Sequence, residues 1–341
     1  MSYLVSIGST IAAASRFMQP LCPPLLTRRA YSVGPLQRIR ARAYAWSLRL
    51  APFCPVVVVT LLLVVSAAPA CAVIRVVDDT GKPVSVAQPA RRIVSLAPHV
   101  TEMLFAAGAG SYVLGVSVFS DFPDAARQIP RVGGAQGLDL EFIAALRPDL
   151  VVAWHSGNPA WSLEAIERLG IPVFRSEPQD LEDVATNIER LGQLAGSVEV
   201  ARRASASFRR RYQALRTTYM QRQPVSVFFQ VWDQPLMTVG GAHLISRVIK
   251  LCGGVNVFAG LPLLTAKIGV EAVLRAQPQV IIAAGPPDSR ALERWRRWPQ
   301  LDAVREDHLF LIPHERIARH TPRVLNGAEQ LCQALEEARG R

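Results

Sequence analysis

The residues with the widest chemical reach in this chain are six histidines: His99, His155, His243, His308, His314 and His320. None of them is paired at the i, i+4 helical spacing of a zinc site, and no Cys-x-x-Cys occurs, so no resident metal site and no cofactor is expected. His314 and His320 stand six residues apart across a loop. His99 and His155 each follow an apolar run, in Ala97-Pro98-His99 and Trp154-His155. They are therefore strand-end imidazoles, open either to solvent or to a ligand. For catalysis there is no Gly-x-Ser-x-Gly elbow, no phosphate-cradling glycine loop and no acid–base pair at telling spacing. No catalytic residue is assigned. A metal-dependent α/β enzyme is the alternative of another class, and it would show turnover where a binding protein takes up ligand stoichiometrically.

Other residues suggest capture. Trp154 ends the run Leu150-Val151-Val152-Ala153, at the carboxyl end of a parallel strand where ligands of α/β sheets collect. Trp232 and Met237 share one loop, as cleft residues or as core filler. Glu141 and Glu271 each begin a helix and are followed seven residues later by Pro148 and Pro278. The helix dipole favours a carboxylate there. Cys252 and Cys332 are the two cysteines outside the leader described below. In an oxidising compartment such a pair forms a disulfide, worth about 3–4 kcal/mol on loop-entropy grounds; two buried thiols are the other option.

These residues need elements to position them. Asp78-Asp79-Thr80-Gly81 marks a turn between short edge segments. Strands are expected at Ile93–Ala97, Val113–Ser117, Leu150–Trp154 and Ile171–Phe174, with helices between them and a further helix over Leu181–Leu194. Val198–Gln221 has no Gly or Pro and predicts one helix about 36 Å long. The pattern then restarts, with strands Val225–Val231, Val280–Ala284 and Leu309–Ile312 and helices Ala242–Cys252, Val270–Ala276, Arg290–Trp298 and Arg323–Ala338. The helix–Pro–strand module occurs once in each half. The expected fold is α/β, two Rossmann-like lobes with parallel sheets joined by one long backbone helix: residues 73–196, 197–222 and 223–341.

Residues 1–72 read as a leader. They hold seven arginines and no acid, so the formal charge of +11 falls to +4 for the remainder. That removes the case for nucleic acid. Arg38 to Arg49, the apolar run Val56–Val65 and the small residues Ser66 to Ala72 form the three regions of a signal peptide cleaved near residues 70–72. The apolar run is about half of what a bilayer span needs. Cys71 could carry a lipid, but Pro69 makes simple cleavage the favoured expectation.

Several segments together resemble the class III, or helical-backbone, periplasmic substrate-binding proteins of ABC importers. They are Ser95-Leu96-Ala97-Pro98-His99-Val100-Thr101-Glu102, Ser120-Asp121-Phe122-Pro123, Gly137-Leu138-Asp139-Leu140-Glu141, Leu146-Arg147-Pro148-Asp149-Leu150 and Cys252-Gly253-Gly254-Val255-Asn256. The likeness spans about residues 91–338 and is nearest to the cobalamin-binding component of the vitamin importer. It implies a monomer in the periplasm holding cobalamin or another corrinoid in an interlobe cleft, with haem or a ferric siderophore as the alternative. Phe119, Trp154 and Met237 match aromatic cleft positions, while Ala135 and Thr265 stand where tryptophans are expected. It implies that Glu141 and Glu271 dock onto arginines of a dimeric permease, and that Cys252 and Cys332 are paired. Arg316 and Arg319 are the cations that could meet an anionic chelate.

Overall fold

Two sheets follow one another along the chain, separated by a single long helix. The structure, a computed structural model, describes residues 73–340 apart from 135, 136 and 287. The expected leader, Cys71 and Ala135 lie outside the described residues. The described residues all fall within one compact unit.

The first segment is a hairpin, β1 (Ile74–Val77) against β2 (Pro83–Val86), antiparallel across the expected turn. Asp78 closes that turn by accepting from the backbone N–H groups of Thr80 and Lys82. The first main sheet contains β3 (Ile93–Ser95), β4 (Val113–Val116), β7 (Leu150–Trp154) and β8 (Val173–Ser176). Their order is β4-β3-β7-β8 and every pairing is parallel. The pair β5 (Gly133–Gly134) and β6 (Gly137–Leu138) forms a separate small ribbon. β3 and β7 are buried along almost their whole length, as expected of apolar runs covered on both faces. The covering helices are α1 (Pro98–Ala106), α2 (Leu140–Ala145), α3 (Ala160–Arg168) and α4 (Leu181–Ala195).

Helix α5 (Val198–Tyr219) has 22 residues, hence about 33 Å at the α-helical rise. It starts and stops within two residues of the sequence expectation. It packs along α4, where Gly192 permits the approach: a Cβ there would sit 2.2 Å from the Cβ of Ala201.

After α5 come β9 (Val225–Trp232), β10 (Met237–Val239), α6 (Leu244–Leu251), β11 (Gly254–Asn256), β12 (Thr265–Lys267), α7 (Val270–Ala276) and β13 (Val280–Ala284). The short helix α8 (Asp302–Arg305), β14 (Leu309–Ile312), the short helix α9 (His314–Ile317) and α10 (Val324–Gly340) complete the chain. The sheet order is β12-β10-β9-β13-β14, with β11 also on β9. β13 lies parallel to both β9 and β14, while β10 and β12 run antiparallel. The second sheet is thus a parallel core with an antiparallel edge. The loop expected to hold Trp232 and Met237 is a hairpin in which these two residues are cross-strand partners.

The helix expected over Arg290–Trp298 is a 3-10 turn, Glu293–Arg297. Trp295 is its anchor. It is fully buried, stacks edge-on against Phe228 and donates its indole N–H to Gln230 at 2.7 Å. One buried indole dictates the path of this segment more strongly than the helix propensity of its arginines.

The sequence echo is structural. Along 141–150 and 271–280 the burial of successive residues agrees at all but one position. Arg147 and Gln277, each just before the proline, both take the left-handed conformation, with φ 45° and 43°. The Cys252 and Cys332 sulfurs are bonded at 2.00 Å, tying the end of α6 to α10 across 80 residues of chain.

Candidate functional site: a cleft walled by strand ends and histidines

The carboxyl ends of β3, β7 and β8 open onto one cleft of about 720 Å³. From these ends come Pro98 and His99, then Trp154, His155 and Ser156, then Glu177, Pro178 and Gln179. The opposite wall comes from beyond α5: Ala242, His243 and Leu244 at the start of α6, Leu264 and Thr265 at β12, and Ala318, Arg319 and His320 after α9.

Each side chain is placed by its local backbone. Pro98 opens α1 in the first-turn position that suits its fixed φ, and this directs the next residue, His99, against the sheet edge. Trp154 is held at its backbone N–H by Asn158 Oδ1 at 2.7 Å, while Asn158 Nδ2 donates to the Leu96 carbonyl of the neighbouring strand. The indole lies over Gly157, where a Cβ would come within 1.9 Å of the ring. His99 and Trp154 meet edge to face at 5.3 Å. Glu177 closes the floor, accepting from both the backbone N–H and the hydroxyl of Ser156. Opposite, His243 caps α6: its Nδ1 accepts from the Ile245 N–H at 3.1 Å.

Burial dominates the electrostatics. It lowers His99 to about pKa 3, helped by the charges of His320 and Arg319. It lowers His243 to about 4, again with His320 contributing, and His320 itself to about 4. All three are neutral bases at neutral pH. Arg319 is paired. It donates to Asp121 at 2.7 Å and to Glu102 at 3.1 Å, and Arg323 grips the same Glu102 through two nitrogens at 2.8 and 2.5 Å. Glu102 is almost wholly buried. The cluster joins α1 to the segment after α9. The one arginine lining the cleft is therefore neutralised, which argues against an anionic chelate. Arg316, the other cation considered for that role, is exposed and is not among the lining residues. Among the described residues no group of three or more His, Cys, Asp or Glu side chains is placed to hold a metal ion.

Of the residues singled out from the sequence, His99 and Trp154 line the cleft together. Phe119 does not line it. Its ring is 76% exposed, its φ is 63°, and its carbonyl accepts from Arg319 at 3.2 Å. It sits beside the wall residue Arg319, on a loop tied to α1 by the buried hydroxyl chain Ser95–Thr101–Ser120. Trp232 is exposed and donates to the Gln234 carbonyl. It and Met237 lie on the hairpin whose next strand supplies Thr265, outside the lining itself. Glu141 and Glu271 are exposed, each the second residue of its helix. His243 and His320 were not selected from the sequence. The local signal that could have found the first is Gly240-Gly241 just ahead of a helix; for the second no local signal exists.

The description "periplasmic binding protein" matches residues 93–315. The chain belongs to the periplasmic binding protein family. Within it, the chain is 39% identical over 251 residues to the vitamin B12-binding protein of Vibrio cholerae serotype O1, covering 73% of this chain and 91% of that one. It is 37% identical to the vitamin B12-binding protein of Yersinia pestis, covering 73% and 88%. The crystal structure of the periplasmic vitamin B12 binding protein of Vibrio cholerae superposes with a TM-score of 0.70 at 38% identity, over 74% of this chain and 99% of that one. A periplasmic haem-binding protein from Roseiflexus sp. RS-1 shares the fold, with a TM-score of 0.64 at 24% identity over 73% and 98%. The architecture is that of the class III binding proteins, and the periplasmic binding proteins it resembles are carriers rather than enzymes.

Proposed function

We propose that this periplasmic binding protein captures cobalamin, or another corrinoid, in the cleft between its halves and delivers it to an ABC importer. One observation carries the reading. A 720 Å³ cleft with an apolar indole wall, neutral imidazoles and no unpaired lining cation belongs to a chain 39% identical to a vitamin B12-binding protein. Such a cleft suits a large uncharged-faced macrocycle held by stacking and a few polar contacts. Residues 1–72 would export the chain and be removed near 70–72. Residues 73–196 and 223–341 would be the two lobes and 197–222 the helix limiting their motion, with the protein acting as a monomer and without turnover. No described helix is long and apolar enough to cross a membrane.

Glu141 and Glu271 would dock on the two subunits of a permease dimer. Their equivalent places in repeated modules, both exposed, support this, because a two-fold partner needs two matching contacts. Glu141→Lys and Glu271→Lys should each leave ligand affinity within about twofold and together abolish uptake in vesicles carrying the importer. Retained uptake would remove the docking role.

Calorimetric titration with cyanocobalamin and cobinamide, with haem as competitor, tests the ligand. One-to-one corrinoid binding, weakened about tenfold or more in Trp154→Ala, is expected, since buried aromatic contacts are worth about 1 kcal/mol beyond their area. Haem uptake without corrinoid binding would favour the second reading, for which the cleft histidines are the specific observation.

A further inference from the structure

We propose that a second pocket, on the seam between the two sheets, binds a phosphate group. Its volume is about 220 Å³, less than a third of the 720 Å³ cleft and below the roughly 300–1,000 Å³ that a drug-sized ligand fills. The two share no lining residue, so the site is independent of what the cleft holds. Helices α4, α5 and α6 touch one another, and each supplies part of the pocket. Asp180 comes from the start of α4, Tyr212 and Arg216 from α5, and Arg247 and Lys250 from α6. Three cations from both sides of this seam therefore line one small space. Among the described residues none of their side chains makes a hydrogen bond or an ion pair.

The acids beside them are already used. Asp180 caps α4, its carboxylate accepting from the Leu181 N–H at 2.6 Å. Glu182, whose charge also reaches Tyr212, is held by Arg209 at 2.5 Å. Helix dipoles account for Arg216 and Lys250, which stand in the last turns of α5 and α6, but not for Arg247 in the middle of α6. Like charges gathered around a small space repel, and an entering anion relieves that cost. Phosphate fits the donors on offer. A guanidinium presents a fork of N–H groups that matches its oxygens, and Lys250 adds a compact point charge. Burial pushes the Tyr212 phenol up, so it remains a neutral O–H donor at the same pocket.

The purified protein is titrated calorimetrically with sodium phosphate and with glycerol 3-phosphate, against sodium chloride at matched ionic strength. Co-flotation with phosphatidylglycerol vesicles tests a phosphate carried by a lipid. Phosphate or its ester should bind saturably, at least about tenfold more tightly than chloride, and Arg216→Gln/Arg247→Gln should weaken that binding about tenfold or more. Asp180→Asn keeps a good helix cap and removes the acid from the lining, so it should instead tighten binding about twofold or more. Binding of the soluble anions identifies a free solute as the source. Vesicle association that is lost in the double variant, without soluble binding, identifies a lipid headgroup. Phosphate binding no tighter than chloride together with no vesicle association, or binding of either kind unchanged in the double variant, overturns the site.

Discussion

Gly157 and Trp154 show how closely a single residue can set a wall. The indole occupies the space a side chain at 157 would need, since a Cβ there would meet the ring at 1.9 Å. Gly157→Ala should therefore displace the ring. The expected outcome is a loss of corrinoid affinity similar to that of Trp154→Ala, with about 1–3 kcal/mol of overpacking cost in denaturant unfolding. Unchanged affinity would mean the ring's position is immaterial to binding. Trp154 itself was legible in the sequence, because an apolar run followed by an aromatic marks a strand end. Pattern alone could not decide between core and cleft for Phe119: its exposed ring excludes the core, and its left-handed backbone, rare for a residue with a side chain, sets it beside the lining residue Arg319.

At the scale of elements, the contact between α1 and the segment before α10 rests on one buried carboxylate. Glu102 is gripped by Arg319 and Arg323, whose side chains are 14% and 20% exposed. Removing one partner of such a cluster leaves the others charged and poorly solvated. Glu102→Gln should lower unfolding free energy by about 3 kcal/mol in urea titration, while the same change at the exposed Glu141 should cost under about 0.5 kcal/mol. Equal effects at both positions would refute a special role for the cluster. Helix α5 and the parallel strands were readable because their apolar periodicity is local. The turn at Glu293–Arg297 was not, since a tertiary anchor, the burial of Trp295 against Phe228, overrides the helical pattern there.

For the whole molecule, acid is the informative variable. His99, His243 and His320 titrate at about 3, 4 and 4 in the folded protein, against about 6.5 in an unfolded chain. The unfolded state therefore binds more protons below pH 6.5, and stability falls as pH falls. The contribution is intact above about pH 6.5 and is lost progressively down to about pH 3. The melting temperature should drop across that window, and a His99→Gln/His243→Gln/His320→Gln variant should show a flatter profile. An identical profile in the variant would mean that other groups govern acid sensitivity. Carboxylates held low by arginines, Glu167 through Arg175 and Glu189 through Arg209, add their own loss only at lower pH.

By itself the sequence determined what is local or repeated: α/β periodicity, the unbroken helix between the halves, the twin Glu–Pro modules and the cysteines Cys252 and Cys332. Patterns of this kind depend on spacing along one chain, which is what a sequence records. Only the tertiary structure decided that His243 and His320, far apart in sequence from His99, share a cleft with it. It also decided that Arg319 is spent on Glu102 and Asp121 rather than free for a ligand. Those facts turn on which side chains from the two sides of α5 come within a few ångströms of each other. No residue spacing encodes that distance, because it is set by how both sheets pack around one continuous core.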